Sequence, residues 1–351
     1  MDKSNEKSDT VITYGKSGVD IGTADAAKKK MAGYIDGGNP RVLNKTGAFA
    51  SVYDIKFPKM KNPVLVLKTE EPGSKQKLAV EYNVVENVCY DMINHLTNDI
   101  LVMGATPLTV QDAIICGKIE PDIVDRIVKT VAKACKENGS VLTGGETSEQ
   151  PNVVEKGTYI LTSSIVGIAE KDEIIDGSKI KEGDTVLALA SNGVHTNGYS
   201  FLRMLMKERP GITEALVGGE RFIDVILKPH KSYYKELIWL FKNPNLKGMA
   251  HITGGGIKGN LNRILPDGLS AEIDLFKIRP LPIFSFIKET TRTPDEELLK
   301  TFNMGVGMTI VVSPGAEKFF IDRMKTFGTD CYEIGKIIKG DKTVKFTGKL
   351  M

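Results

Sequence analysis

Apolar residues recur along this chain with two periods. Pro63 to Thr69 (PVLVLKT) reads as a strand. From Leu78 to Met103 the spacing turns helical and predicts one long helix. Val84, Val88, Met92, His95 and Leu96 fall on one side of it, and Asp91 and Asn98, two turns apart, share a face. Pro107–Cys116 is strand-like again. Pro121 then sits in the first turn of a helix running over Asp122–Asn138, whose stripe of Val124, Ile127, Val128, Val131 and Cys135 is core; Gly139 stops it. Strand-like runs follow at Thr158–Ala169 and Asp184–Ala190, then helices at Ser200–Met206 and Ile257–Leu265. The last part alternates strands Ser270–Asp274, Gly305–Val312 and Cys331–Ile338 with helices Pro282–Glu289 and Gly315–Phe327. Alternation of this kind predicts an α/β (α+β) fold. The charged, turn-rich Lys171–Gly183 (KDEIIDGSKIKEG) predicts a boundary that divides the 351 residues into two domains, 1–170 and 171–351.

Composition narrows the class. With 41% hydrophobic and 26% charged residues the chain reads as a soluble globular protein. Lys plus Arg exceed Asp plus Glu by only 47 − 44 = 3, so a nucleic-acid footprint has no support. No run approaches the ~18 apolar residues of a membrane span, and the polar start MDKSNEKSDT, read as a flexible arm, lacks a signal peptide's apolar core. Cys89, Cys116, Cys135 and Cys331 form no CxxC pair, which argues for reduced thiols and a cytoplasmic setting. The four histidines are spread over the sequence and predict no metal cluster.

Several strand ends carry chemistry. Val141 to Pro151 (VLTGGETSEQP) predicts a strand opening at Gly144–Gly145 into a bare-backbone turn, with Glu146, Thr147, Ser148 and Glu149 after it. Such a turn at a strand's carboxyl end suits a phosphate and Mg²⁺; the plain alternative is a Gly-Gly turn with a solvated acidic tail. The strand at Pro63 runs into Glu70-Glu71-Pro72-Gly73-Ser74-Lys75, which has the residue types of a phosphate-and-metal loop without fitting the P-loop pattern. Asp112 lies amid apolar neighbours and is costly to bury unless it meets a cation or several donors. Asn98-Asp99 reads equally as a ligand pair or as two solvated side chains near a helix end. Ser191-Asn192-Gly193-Val194-His195-Thr196-Asn197-Gly198 precedes a helix and reads as an anion site; His195 there is an acid/base, a ligand contact or a structural hydrogen bond. His251-Ile252-Thr253-Gly254-Gly255-Gly256 repeats the strand–glycine–helix pattern, an echo of the first half or a chance match. Tyr14, Gly15, Gly18 and Asp20 precede an Ala/Lys-rich helix capped by Thr23 or Asp25, and Asn44–Tyr53 (NKTGAFASVY) is a mobile flap or a solvated hairpin.

Taken in order, GVDI, NDILVMGATPL, the strand Asp before GK, TGGET, EIIDGSKI, SNGVHTNGYS, HITGGG, ILPDGL and TFNMGVGM resemble phosphoribosylformylglycinamidine cyclo-ligase (aminoimidazole ribonucleotide synthetase), from about Tyr14 to Ile338. TGGET-like and ND-like motifs are shared with a wider ATP-using superfamily that includes selenophosphate synthetase, thiamine-monophosphate kinase and a hydrogenase maturation factor. The resemblance implies an N-terminal mixed α/β domain that pairs with a second subunit through its sheet, giving a homodimer, and a C-terminal α/β sandwich. It implies ATP and Mg²⁺ as cofactors, a ribonucleotide substrate, and a place in purine biosynthesis. Glu70, Asp99, Asp112 and Glu146 are then expected as metal or triphosphate ligands, with Gly73, Ser74, Lys75, Asn98, Gly144, Gly145 and Thr147 at the nucleotide. Ser191, Asn192, His195, Asn197, His251 and Gly254 are expected at the substrate, and His195, His251 and Lys75 in catalysis. Two departures stand out. The family's Asp-Gly-Val-Gly-Thr-Lys is Glu70-Glu71-Pro72-Gly73-Ser74-Lys75 here, where a longer acid and a rigid proline alter the turn. The usual Gly-Gly-Phe-Gly is Gly47-Ala48-Phe49-Ala50. The alternatives are another ATP-dependent kinase or synthetase of the superfamily, or a divergent nucleotide-binding relative with impaired turnover.

Overall fold

The computed structural model describes residues 31, 33–35, 38–44 and 48–350. The N-terminal arm, the Tyr14–Asp25 segment and Gly47 lie outside them. The first sheet has strands β1 (Pro63–Glu70), β2 (Thr106–Cys116), β3 (Val141–Glu149) and β4 (Tyr159–Glu170) in the order β1-β4-β2-β3. β2 and β3 are parallel, a pairing that needs a crossover, and helix α3 (Pro121–Glu137) supplies it. Helices α1 (Lys75–Glu81) and α2 (Val85–Leu101) cover the same face, packing Val88, Met92 and Leu96 against Val110, Leu161 and Ile165. The other face carries exposed Leu65, Leu67 and Ile160.

Two sequence expectations are corrected here. The single helix over Leu78–Met103 is α1 followed by α2, because Asn83 takes a left-handed conformation (φ 56°) that ends the first helix. Asparagine tolerates this region better than most residues, so the apolar spacing runs through the break without registering it. The Gly144–Gly145 turn is no turn: β3 continues to Glu149, with a register shift where β2 pairing passes from Val110–Leu142 to Gln111–Gly144. Thr143, the extra residue of this bulge, bonds Thr109 Oγ1 at 2.7 Å, and its carbonyl accepts from Ser51 Oγ at 2.6 Å.

The second sheet contains β5 (Thr185–Ala190), β8 (Leu246–His251), β9 (Leu269–Asp274), β10 (Val306–Val312), β11 (Cys331–Lys339) and β12 (Val344–Thr347), ordered β12-β9-β11-β5-β10-β8; β6 (Leu216–Val217) and β7 (Glu220–Arg221) form a separate hairpin. Only β12–β9 is parallel. Apolar clusters cover both faces, Val186, Ala188 and Ala250 facing one and Leu187, Leu189 and Met249 the other. This explains why β5 and β10 read as unbroken apolar runs. Between the sheets, Lys171–Glu173 forms a single 3₁₀ turn and no strand occurs before Thr185. The strand ends before Ser191 and after His251 carry the polar loops to the edge of the first domain, against α2.

Candidate active site at the junction of the domains

One face of α2 is polar at a spacing of four, three and four: Asn87, Asp91, Asn94 and Asn98. Each grips backbone of the segment Leu227–Tyr233 in the second domain. Asn87 Nδ2 donates to Leu227 O at 2.9 Å and Asn94 Nδ2 to His230 O at 2.6 Å. Asn98 Nδ2 donates to Lys231 O at 2.9 Å while its Oδ1 accepts from Tyr233 N at 3.0 Å. Asp91 Oδ1 accepts from His230 N at 2.6 Å. Asp91 also forms a fully buried ion pair with Lys75, whose Nζ lies 3.0 and 2.9 Å from its two oxygens. Burial raises the Asp91 carboxyl to about 6 against the pull of Lys75, and lowers the Lys75 ammonium against the pull of Asp91. Lys75 Nζ donates further to Lys228 O at 2.6 Å and His195 O at 3.3 Å.

At the next turn of α2, all four histidines of the chain meet. His195 and His230 stack with centroids 3.9 Å apart, and His95 and His251 meet edge to face at 5.0 Å. The histidines, scattered in sequence and expected to make no metal cluster, are thus brought side by side by the fold, which no sequence spacing announces. His251 Nδ1 lies 2.7 Å from Asp99 Oδ1, and its Nε2 lies 2.9 Å from His230 Nε2. Thr196 Oγ1 bridges His230 Nδ1 at 3.4 Å and His95 Nδ1 at 3.2 Å. Burial and the neighbouring His251 push the His95 imidazole down to about 4, and burial takes His195 and His230 well below the ordinary range, so these three are neutral at pH 7. Burial alone would raise the Asp99 carboxyl, but the His251 hydrogen bond and the surrounding positive charge outweigh it and hold it below the usual range. On the open side Lys68 Nζ, from β1, stands 2.7 Å from Glu70 and 3.1 Å from Asp99. Lys68, Glu70, His95, Asp99, Asn197 and His251 line a cavity of about 530 Å³, a size within the range of small-molecule sites.

The residues expected at the site divide accordingly. Glu70 and Asp99 come together, and Asn197 and His251 reach the same cavity, with Gly254 beside Asn197: a β-carbon on Gly254 would lie 3.2 Å from its Oδ1. Gly73 packs against Thr196 O. Lys75 does not face a phosphate, since its ammonium is enclosed and all its protons are engaged within the protein. Asn98 likewise serves the joint between domains. Ser191 is buried against Asn303 (3.1 Å), and His195 is buried with Nε2 3.0 Å from Asn192 Oδ1, the amide of the exposed Asn192 donating to Pro229 O; none of the three lines that cavity. Ser74 precedes α1 without capping it through its side chain. Lys68, His95, His230 and Thr196 were missed. The one available signal was His95 and Asp99, four residues apart on a helix.

Sheet register places Asp112 and Glu146. Glu70 pairs with Ser163, Ser163 with Asp112, and Asp112 with Gly145, one row across four strands. Asp112 thus lies two strands from Glu70, about 10 Å at the usual spacing, on the face that α2 covers. Glu146 and Gly144 belong to the opposite, open face with exposed Glu146, while Thr147 shares the Asp112 face. The four-carboxylate set is therefore not gathered in one place. Gly145 is obligatory where it is, because a β-carbon there would meet Asp112 Oδ1 at 1.8 Å. Burial raises the Asp112 carboxyl to about 7, and its Oδ2 has no hydrogen-bond partner among the described residues. A carboxyl whose pKa is raised on folding costs nothing below about pH 4 and most above pH 7. Asp112→Asn should therefore stabilise the metal-free protein by roughly 1–3 kcal/mol at pH 8 and by little at pH 4.5. Urea titrations at the two pH values check this; an equal effect at both would show that ionisation is not involved.

Residues 49–169 match the family model described as AIR synthase related protein, N-terminal domain, and residues 181–347 the corresponding C-terminal domain. The phosphoribosylformylglycinamidine cyclo-ligase of Methylobacillus flagellatus is 40% identical over 327 residues, covering 93% of this chain and 94% of that one. That of Streptococcus agalactiae serotype Ia is 39% identical over 333 residues, covering 93% and 96%. The chain belongs to the phosphoribosylformylglycinamidine cyclo-ligase family. Solved structures share the fold at lower identity. E. coli HypE aligns with a TM-score of 0.67 at 16% identity over 93% of this chain and 94% of that one, and thiamine-monophosphate kinase from Stenotrophomonas maltophilia with 0.65 at 15% over 93% and 96%. A HypE solved in complex with ATP aligns at 0.62 and 16%, over 90% and 88%. The cyclo-ligases are ligases by name, and the mixed α/β, two-domain fold and the ligase class follow for this chain from family membership. Among the described residues no helix is long and apolar enough to cross a membrane.

A magnesium ion implied by the family finds suitable donors. Glu70 and Asp99 offer hard oxygen ligands, and both already hold a positive charge, the Lys68 ammonium, between them.

Proposed function

We propose that this protein is an ATP-dependent cyclo-ligase that converts formylglycinamidine ribonucleotide to 5-aminoimidazole ribonucleotide, ADP and phosphate in purine biosynthesis. The formyl oxygen takes the γ-phosphoryl group of ATP, the amidine nitrogen attacks that carbon, and phosphate leaves as the imidazole closes. The observation that carries this reading is the meeting of Glu70, Asp99 and His251 in one cavity at the domain junction. Phosphoryl transfer asks mainly for positioning and charge neutralisation. Glu70 and Asp99 would hold Mg²⁺, which supplies that neutralisation at the triphosphate when bound. Lys68 exchanges its carboxylate partners for phosphate oxygens. Asp99 accepts from His251 Nδ1 at the cavity, and His251, His230, Thr196 and His95 form a hydrogen-bonded run that can take up the proton shed on ring closure. Asn197 and the Gly254 loop orient the ribonucleotide; Ser191, Asn192, His195 and Lys75 hold that wall in place.

The domains divide at about residue 170/171 in this reading. The exposed Leu65, Leu67 and Ile160 on the open face of the first sheet support a homodimer formed through that sheet, with Glu146 and Gly144 next to the partner. Four buried, free cysteines support a reducing, cytoplasmic setting. The purified protein should release ADP only when formylglycinamidine ribonucleotide and a divalent cation are both present. ADP formation stimulated by thiamine monophosphate or selenide and not by that ribonucleotide would reassign the reaction; nucleotide binding without turnover on any of them would mark a binding relative.

A further inference from the structure

The carboxylates at the cavity do not stand alone. His95 Nε2 lies 3.6 Å from Asp99 Oδ2 and 3.8 Å from Glu70 Oε1, and His251 Nδ1 lies 2.7 Å from Asp99 Oδ1. The ligand atoms of His95, Asp99 and His251 all fall within 4.8 Å of one another. An ion about 2.0–2.2 Å from each nitrogen and oxygen separates its ligands by a little over 3 Å, so only small side-chain shifts are needed. The two imidazole planes stand at 88°, so their nitrogens approach from different directions. The outward nitrogen of each ring is also held, His95 Nδ1 by Thr196 Oγ1 at 3.2 Å and His251 Nε2 by His230 Nε2 at 2.9 Å, the kind of support that metal-ligating histidines receive. A cation is already drawn to the place, for Lys68 Nζ bridges Glu70 and Asp99. The other group of three, His195, His230 and His251, is less suited: His195 and His230 are stacked within 21° of parallel, so no ion can lie near both ring planes between them.

We propose that the cation held by Glu70 and Asp99 is bound in a mixed nitrogen–oxygen site in which His95 Nε2 and His251 Nδ1 are further ligands, and that this site prefers a first-row transition ion such as Mn²⁺, Co²⁺ or Zn²⁺ over Mg²⁺. When the ion is bound, His251 gives up its hydrogen bond to Asp99 and carries its proton on Nε2, toward His230. Mg²⁺ favours oxygen donors in octahedral arrangement, whereas imidazole suits the transition ions. The proposal rests on the reading of Glu70 and Asp99 as cation ligands. It adds that His95 sets metal choice, and that Lys68 competes with the ion and swings into the cavity when the ion enters.

The test is a Co²⁺ titration of the metal-free, full-length protein without nucleotide, followed by visible absorption. One equivalent should bind with the intense bands of a site containing nitrogen and few ligands, and Mg²⁺ should displace it only in about hundredfold excess or more, following the donor preferences. His95→Gln should weaken Co²⁺ binding about tenfold or more, and Lys68→Met, which removes the competing ammonium, should tighten it about tenfold, with thermal melting of the metal-free variants checking that they fold. Equal Co²⁺ affinity in wild type and His95→Gln, or ready displacement by equimolar Mg²⁺, would overturn the proposal. Should His95→Gln fail to fold, Lys68→Met decides, since an unchanged affinity there removes the site. Turnover separates the two readings: ADP formation supported equally by Mg²⁺ in a protein that shows no Co²⁺ bands keeps the cyclo-ligase and sinks the metal site, while Co²⁺ bands without ADP formation do the reverse.

Discussion

Lys75→Met should cost the protein about 3–5 kcal/mol of stability at pH 8, the largest effect expected of any single change at the junction. The ammonium is completely enclosed and pairs with Asp91, so its removal leaves a buried carboxylate without its counter-charge. It also leaves the Lys228 carbonyl without the Lys75 donor, while the His195 carbonyl keeps the Tyr199 hydroxyl. The pH dependence has a definite sign. Burial already raises the Asp91 carboxyl to about 6 with Lys75 present, and without Lys75 it must rise further. A group raised on folding is tolerated while protonated and penalised as pH climbs through its folded value. The deficit should therefore be largest at pH 8 and shrink by pH 5. Urea unfolding of Lys75→Met, Asp91→Asn and the double variant measures it. The double variant should lose clearly less than the two single losses added together; strict additivity would show that the pair does not interact as the distances indicate.

Asp99→Asn should reduce kcat/KM for ATP-dependent ring closure roughly 10²–10³-fold, while leaving thermal stability within about 1 kcal/mol of wild type. The carboxylate does two things that an amide cannot do together: it accepts from His251 Nδ1 and it attracts Lys68 or a metal ion. An asparagine that keeps its oxygen toward His251 still fixes the tautomer but holds no cation; one that turns its NH₂ toward His251 reverses that tautomer. Either way the site loses charge without losing volume. Activity within about threefold of wild type would mean that Asp99 serves structure only.

Much of this was legible in the sequence. The strands at Pro63 and Thr106 and the helix at Pro121 are visible because each presents one period to one core, whereas the strands at Thr185 and Val306 lie between apolar layers that permit uninterrupted runs. What failed shares a cause. Asn83 breaks a helix through its own backbone conformation, which leaves the apolar spacing intact. Gly145 was read as a turn because glycines usually punctuate, whereas here it makes room for the Asp112 carboxyl on the neighbouring strand. Lys75 was read as a phosphate ligand because it follows a glycine and a hydroxyl, yet its position in α1 points it into the joint at Asp91. The histidine cluster was invisible because His195, His230 and His251 lie at the ends of strands and loops brought together only by the second sheet. His95 alone carried a local sign, one helical turn before Asp99.

The row of Asn87, Asp91, Asn94 and Asn98 bears on traffic through the molecule. With four side chains of one helix hydrogen-bonded to backbone of the opposite lobe, the lobes are riveted where a hinged enzyme would flex. A ligand of the cavity should therefore reach it past Lys68 and the edge strand β1 instead of between parting halves, and relaxation measurements should find the two lobes tumbling as one body with and without ligand.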